Sequence, residues 1–152
     1  MSAQVYRLYQ AALERAPYTG GHEGWTQTLF EEGSTLVSVA VFFVGSAEFQ
    51  RAYGSLNTGG FTDLLYNNVL VRQADAVGRA LWVDRIEDDG FTRAQTLVGF
   101  SESREFVNNT DAAATQFTQA RSAAGWSDDV YRLYSATFDR APDWDGFDAW
   151  TE

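Results

Sequence analysis

Hydrophobic residues near the start of the chain recur at the spacing of a helix. One face of the stretch from residue 5 to residue 14 carries Val5, Leu8, Tyr9, Ala12 and Leu13. Pro17 follows, and a proline cannot donate a backbone hydrogen bond to continue a helix. The pattern therefore predicts a first helix that ends near Arg15.

The same pattern returns 57 positions later without a gap. The matched pairs include Leu8 with Leu65, Tyr9 with Tyr66, Arg15 with Arg72, Gly21 with Gly78, Trp25 with Trp82, Phe43 with Phe100, Ser46 with Ser103 and Glu48 with Glu105. Tryptophans, glycines and charged residues rarely agree in one frame by chance. The sequence thus predicts an internal repeat, with a first unit at 1–57 and a second unit at 58–110.

The second helix of each unit is expected to carry the repeated tryptophan and to end at Gly33 or Gly90, since glycine tolerates a left-handed helix end. In the second unit Asp75 is well placed to cap this helix. The first unit has Tyr18 at that position, so we expect Thr19 to act as the cap instead.

The stretch Leu36–Val44 alone looks like a strand, because it is rich in β-branched and aromatic residues. Its equivalent at 91–100 has the spacing of a helix, and one fold must serve both copies. We therefore predict a buried helix here, started by Ser34 or Thr35. Ser46 and Ser103 then each predict the cap of a fourth short helix, whose first turn holds Glu48 or Glu105.

A third copy of the pattern begins after an insertion. The segment 111–126 is rich in Ala and Gln and predicts a connecting helix, and 127–152 matches the start of the first unit. The matched residues of this partial third unit include Arg140, Gly146 and Trp150. Because the copy covers only part of a unit, we expect the parent protein to continue beyond Glu152. The predicted fold class is all-α: a tandem repeat of short-helix bundles, with about four helices per unit and a connecting helix before a truncated third unit.

Composition narrows the possible classes of function. The formal net charge is −10, all eleven basic residues are arginine, and there is no cysteine. A chain without clustered cations is a poor match for nucleic acid or for anionic lipid. The absence of cysteine excludes disulfides, thiolate metal sites and a cysteine nucleophile. The first ten residues lack the features of a Sec signal peptide, and the longest apolar run is too short to span a bilayer.

The ordered motif Tyr…Leu-x-Arg-x-Pro-Asp-x-x-Gly-x-x-x-Trp, followed by Gly-x-Thr and Ser-x-Glu-Phe, resembles the bacterial family known as domain of unknown function 4214. Both full units and the partial third match it, with departures at Tyr18 and at Gln73-Ala74. The resemblance implies tandem helical modules in large exported bacterial proteins. Such proteins often carry hemolysin-type calcium repeats and leave the cell by type I secretion. A weaker similarity links the first helix to phycobilisome linker domains, which join proteins.

The repeated residues have a structural and a functional interpretation. Arg15, Arg72 and Arg140 could clamp an anion, although satisfying helix carbonyls or pairing with the aspartate of the next loop explains them more simply. The repeated signature of Trp25, Trp82, Trp150, Gly21, Gly78 and Gly146 favours core packing over sugar stacking. Trp126 and Trp144 have no counterparts in the other units, which makes them candidates for surface recognition or for small packing contacts.

Metal and catalytic sites have weaker support. Asp143, Asp145 and Asp148 suggest calcium, but an EF-hand frame with Gly146 at its sixth position puts Ala141 where the first ligand belongs. His22 is the only histidine and has no counterpart in the other units, and no nucleophile elbow accompanies it. We therefore predict no catalytic residue, no cofactor and no established metal site.

The expected function is that of a non-catalytic structural or interaction module in a larger exported bacterial protein, secreted or on the cell surface. Its expected partners are proteins or neighbouring domains of the parent chain, with no nucleic acid and no membrane insertion. A module that binds carbohydrate or another small ligand is the alternative, and an enzyme is a third class. A concave polar pocket would favour ligand binding, whereas a flat aromatic patch would favour protein contact.

Overall fold

The computed structural model describes residues 2–30 and 34–120, and every regular element in this part of the chain is a helix. The helices are α1 Ser2–Leu13, α2 Thr19–Phe30, α3 Leu36–Gly45, α4 Ala47–Tyr53, α5 Thr58–Leu70, α6 Ala76–Glu87, α7 Arg93–Ser101 and α8 at residues 104–120. The predicted all-α class is confirmed. The predicted repeat is compatible with this order, because α1–α4 lie in the first unit and α5–α8 begin in the second.

Local capping explains where the third and fourth helices begin. Thr35 caps α3 by accepting a hydrogen bond from the backbone N–H of Ser38 at 3.1 Å, so the predicted helix over Leu36–Val44 is confirmed. The fourth helices begin alike, because Ser46 and Ser103 each accept a backbone N–H three residues further on at 3.2 Å. These caps satisfy donors that a helix start leaves without partners.

The second helices differ at their first residues. Asp75 caps α6 and accepts the backbone N–H of Gly78 at 2.8 Å, as predicted. In the first unit Thr19 is itself the first residue of α2, so the expectation that Thr19 precedes the helix as its cap is wrong. Gly90 has the predicted positive φ, 72°, just beyond α6. Gly33, the other predicted helix end, lies outside the described residues.

Two matched residues after the first helices also have positive φ. Glu14 follows α1 and Val71 follows α5, and both have φ of 53° although neither is glycine. A β-branched valine in this region is uncommon and costs about 1–3 kcal/mol. The left-handed residue turns the chain out of the helix at the same position in both units.

One hydrophobic core joins the helices of both units. Phe43, Phe49, Phe61 and Phe100 belong to the same buried cluster, although they come from four different helices. Helix α3 packs against α7, and α1 contacts α5 and α7 as well as its neighbours α2 and α3. Residues 1–112 accordingly form one compact unit, which ends within α8.

A charged pair without a counterpart in the repeat fixes α1 to the end of α7. Arg7 is buried and donates from Nε and Nη2 to the two carboxylate oxygens of Glu102, at 2.9 and 2.7 Å. Position 64, the equivalent of Arg7, is leucine, and position 45, the equivalent of Glu102, is glycine. Two parallel hydrogen bonds to a carboxylate satisfy the arginine that the packing buries.

The last described helix is longer than predicted. Residues 104–120 form one continuous helix, so the short fourth helix expected after Ser103 and the start of the expected connecting helix are the same element. The remainder of the predicted connecting helix and the partial third unit lie outside the described residues. The predicted boundary between residues 110 and 111 thus does not coincide with a helix end.

Candidate functional site

The repeated arginines pair with the repeated glutamates. Arg15 donates from Nε and Nη2 to the carboxylate of Glu48 at 3.0 and 3.1 Å, and Arg72 binds Glu105 through the same atoms at 2.8 and 2.9 Å. From the sequence, these glutamates were expected only at helix starts, and the arginines were expected to have other partners. Each pair joins the turn after the first helix of a unit to the fourth helix.

The repeated tyrosines lie under these pairs. The guanidinium carbon of Arg15 is 5.4 Å from the ring centre of Tyr9, and that of Arg72 is 5.0 Å from the ring centre of Tyr66. An arginine over an aromatic face gains a cation–π attraction of about 0.5–2 kcal/mol. The arginine of each unit is therefore held by a carboxylate on its edge and by a ring below it.

The repeated glycines allow the tyrosine hydroxyls to approach closely. A Cβ at Gly21 would collide with the hydroxyl of Tyr9, and a Cβ at Gly78 would collide with the hydroxyl of Tyr66. Any larger residue would push the tyrosine out of its place against the second helix. The recurrence of these glycines follows from this contact.

The repeated aromatic rings form the same cluster in both units. Tyr9 meets Phe43 edge to face at 4.8 Å between ring centres, and Tyr66 meets Phe100 at 5.1 Å, with interplanar angles of 90° in both. Edge-to-face rings attract through their quadrupoles. Trp25 and Trp82 are half-buried and pack against the core, in line with the structural interpretation of the repeated tryptophans.

The first unit carries an open groove above this cluster. We call it the aromatic groove and define it by Arg15, Tyr18, Trp25, Phe42, Ser46 and Glu48, with Tyr9, Leu13 and Phe43 also contributing to its lining. Its volume is about 430 Å³, open solvent included. Tyr18 and Phe42 are both 64% exposed, so large ring surfaces face water here.

Both exposed rings are held in place. The ring of Tyr18 lies so close to Gly21 that a Cβ there would come within 2.7 Å of it, and it meets Tyr9 edge to face at 6.4 Å. Phe42 is inclined by 38° to Trp25, with 5.2 Å between ring centres. Rings fixed in this way lose little conformational freedom when something binds to them.

The equivalent position of the second unit is packed differently. Gly99 stands where the first unit has Phe42, and a Cβ at Gly99 would collide with the ring of Trp82. Trp82 therefore lies closer to its phenylalanine, with 4.9 Å between the ring centres of Trp82 and Phe100, compared with 5.8 Å for Trp25 and Phe43. The indole of the second unit covers the surface that Phe42 occupies in the first.

The two arginines differ in the contacts of Nη1, the nitrogen that does not bind the glutamate. In the second unit Nη1 of Arg72 donates to the carbonyl of Gln73 at 3.3 Å and lies 3.6 Å from the carboxylate of Asp75. Tyr18 replaces that aspartate in the first unit, and no described residue binds Nη1 of Arg15. In the aromatic groove, Nη1 of Arg15 is therefore available as a donor, whereas Nη1 of Arg72 is already hydrogen-bonded.

The charges of the groove are fixed by its ion pair. The hydrogen bond from Arg15 holds the pKa of Glu48 below its ordinary value, and Arg72 lowers the pKa of Glu105 in the same way. Burial raises the pKa of the Tyr9 hydroxyl. At neutral pH the carboxylate of Glu48 and the guanidinium of Arg15 carry opposite charges, which cancel within the groove.

Neither Tyr18 nor Phe42 was predicted from the sequence as a site residue. Tyr18 appeared there only as a departure from the motif, and Phe42 was not singled out. A signal was available, because the repeat places Asp75 and Gly99 opposite them and both differences increase exposed aromatic surface. Positions where one copy of a repeat becomes apolar and exposed are informative because the other copy shows what the fold alone requires.

The single histidine, His22, which the sequence did not predict as a site residue, is buried. Its Nε2 lies 3.2 Å from the hydroxyl and 3.1 Å from the carbonyl oxygen of Ser2. The candidate residues beyond position 120 lie outside the described part of the chain; they are Trp126, Arg140, Asp143, Trp144, Asp145, Gly146, Asp148 and Trp150. Their roles stay predictions.

Metal-binding clusters and membrane-spanning helices can be assessed for residues 2–30 and 34–120. There, no group of three or more histidine, cysteine, aspartate or glutamate side chains is placed to hold a metal ion. No helix within these ranges has both the length and the apolar character needed to cross a membrane.

The fold and the recurring contacts define an all-helical module with repeated arginine–glutamate pairs. A family model described as domain of unknown function (DUF4214) matches residues 40–110, which confirms the family resemblance for that segment. The match begins within α3 of the first unit and continues through the second unit. Searches of curated proteins and of solved structures found no match.

Proposed function

We propose that this chain is a non-catalytic interaction module of a larger exported bacterial protein, and that it binds its partner through the aromatic groove of the first unit. The observation that carries the proposal is the exposure of Tyr18 and Phe42 at positions where the second unit has Asp75 and Gly99. Clustered exposed rings beside fixed polar groups are typical of binding surfaces.

The second unit shows how the same positions are filled when no rings are exposed there. Its Trp82 packs over Gly99 and its Asp75 caps a helix, so the fold can be built without exposed rings at these places. Exposed single hydrophobic residues are common on protein surfaces and mean little. Here two of them flank one half-buried tryptophan and one arginine with a free donor, which favours a role in recognition.

The non-catalytic part of the proposal is supported by the state of the two charged groups. Glu48 is bound to Arg15 through both oxygens, and its lowered pKa keeps it ionised at neutral pH. A general acid or base works best with a pKa near the working pH. A carboxylate held in this way is better suited to accepting hydrogen bonds than to transferring protons.

Export is supported by the family resemblance. The net charge of −10 and the lack of cysteine are compatible with it. Hemolysin-type calcium repeats and type I secretion belong to this proposal only through the family. Immunodetection of the parent protein in culture medium, against a cytoplasmic marker, tests it, and retention with that marker would contradict it.

The groove itself can be tested without knowledge of the partner. We expect chemically diverse small fragments, screened by two-dimensional NMR on the 152-residue chain, to shift the resonances of Tyr18, Trp25 and Phe42. The matched region around Asp75 and Gly99 should not respond. Fragments that shift both regions equally, or neither, would contradict the assignment of the groove as the binding surface.

A further inference from the structure

We infer that the ligand of the aromatic groove is a neutral glycan whose sugar rings stack on Tyr18 and Phe42 while their hydroxyls bind Arg15 and Glu48. This inference rests on the proposed function and adds the chemical class of the ligand. The size, the exposed rings, the paired charges and the comparison with the second unit each restrict that class.

The size of the groove favours a small or linear ligand. Only nine residues line the groove, and its volume of about 430 Å³ includes open solvent. A stable protein partner would cover about 800 Å² on each side, and the six residues that define the groove provide only part of such an area. A short glycan needs no contact area of that size.

The exposed rings provide flat apolar surfaces. Tyr18 is supported from below by the Gly20–Gly21 backbone and by Tyr9, so its outer face remains available. Phe42 is likewise supported by Trp25. A pyranose with equatorial hydroxyls presents C–H groups on both faces of its ring, and this apolar face matches an aromatic plane. Aromatic side chains combine such a surface with few rotatable bonds.

The ion pair provides a donor and an acceptor side by side. Nη1 of Arg15 has no described partner, and each oxygen of Glu48 that accepts from Arg15 keeps a second lone pair. Neighbouring hydroxyls on a sugar can accept from the guanidinium and donate to the carboxylate at the same time. Since both side chains are about half exposed, at 41% and 47%, they can reach a ligand without breaking their own pair.

The charge balance argues for a neutral ligand. An anion would meet the carboxylate of Glu48 and a chain with net charge −10. A cation would meet the guanidinium of Arg15, which already lies over the Tyr9 ring. A neutral ligand with many hydroxyls avoids both repulsions and uses both hydrogen-bonding groups.

The test compares the wild-type chain with a variant that gives the first unit the residues of the second. We expect electrophoresis through a gel containing soluble mixed-linkage β-glucan to retard the wild-type chain. Cellohexaose in solution should shift the NMR resonances of Tyr18 and Phe42. The double variant Tyr18→Asp with Phe42→Gly should lose about tenfold or more in affinity, because it removes both rings and leaves the residues that the second unit already tolerates.

Two controls separate loss of the site from loss of the fold. Val77→Asp changes another exposed apolar residue, on α6 and outside the groove, to an acid and should leave glucan binding unchanged. The single variant Tyr18→Asp should weaken binding even if the double variant folds poorly, and urea unfolding reports the stability of each. Equal retardation of the double variant and the wild type would overturn the site.

The outcomes also distinguish the two proposals. If fragments shift the groove but cellohexaose and β-glucan do not bind, the glycan class is wrong and the interaction module stands. Preferential binding of sulfated dextran or of a proline-rich peptide would also overturn the neutral glycan and would identify an anionic or a peptide ligand instead. If no fragment shifts the groove, both proposals fail.

Discussion

The two units share a scaffold and differ in the surface that they leave open. Both place an arginine over a tyrosine, pair it with a glutamate and pack a tryptophan against a buried phenylalanine. Only the first unit adds exposed rings, which are Tyr18, Phe30 and Phe42, and two of them, Tyr18 and Phe42, lie in the aromatic groove. Contacts that occur in both units are those that the fold requires. Features that occur in one unit only are additions to that fold. Residues of the second kind are the better candidates for function.

The shared scaffold should respond equally when its central ring is removed. We expect Phe43→Ala and Phe100→Ala each to lower the free energy of unfolding by about 3–5 kcal/mol, because both phenylalanines are buried among the aromatic residues of their unit. Urea unfolding followed by circular dichroism measures both variants. A cost below about 1 kcal/mol for either one would break the equivalence of the two scaffolds.

An aromatic ring added at position 99 of the second unit should destabilise the fold. Gly99→Phe introduces the residue of the first unit at a place where even a Cβ collides with Trp82, and we expect a loss of about 1–3 kcal/mol in unfolding free energy. The matched variant Phe42→Ala removes a ring that is 64% exposed and should change stability little. Equal costs for the two variants would show that the surfaces do not differ as described.

Helix α2 of the first unit should be stabilised when an aspartate cap is introduced at position 18. We expect Tyr18→Asp to raise the unfolding free energy by up to about 1 kcal/mol, because the new carboxylate can accept the backbone N–H of Gly21 as Asp75 accepts that of Gly78. Thermal melting measures the effect, and Tyr18→Ala is the control without a capping group. If Tyr18→Ala stabilises as much as Tyr18→Asp, capping is not the cause.

The two ion pairs should titrate alike, which is the smallest of the expected effects. Since Arg15 and Arg72 hold the pKa of Glu48 and of Glu105 below the ordinary value of about 4.3, each pair stabilises the fold above that pH. The contribution is lost as pH falls through the lowered, folded-state pKa. Carboxyl NMR titration measures both groups.

Arg15→Gln is the matched control for that titration. It should return the pKa of Glu48 towards the ordinary value and leave Glu105 unchanged, because the Arg72 pair lies in the other unit. An ordinary pKa for Glu48 in the wild-type chain would contradict the pairing.

Local rules predicted most of the helix ends. The caps at Thr35, Asp75 and Ser46 and the positive φ of Gly90 follow from residues that act within three positions of themselves. The helix Leu36–Val44 needed more than local preference, because its residues alone favour a strand. The comparison with residues 91–100 corrected that preference and gave the right element.

Contacts between distant residues were harder to predict. Arg15 and Glu48 are 33 positions apart, and nothing in either local pattern indicates that the turn after α1 meets the start of α4. The aromatic groove was missed for the same reason, since Tyr18 and Phe42 come together with Trp25 only when three helices pack. The repeat nevertheless contained the clue, because both positions differ between its copies.

The buried pair of Arg7 and Glu102 makes the order of the two copies matter. A chain assembled from two first units would bury an arginine opposite glycine, and one assembled from two second units would leave the glutamate facing leucine. Stranding a buried charge in this way costs several kcal/mol. Recombination between the copies is therefore penalised. Each unit is therefore suited to its own place in the chain, and the two are not interchangeable.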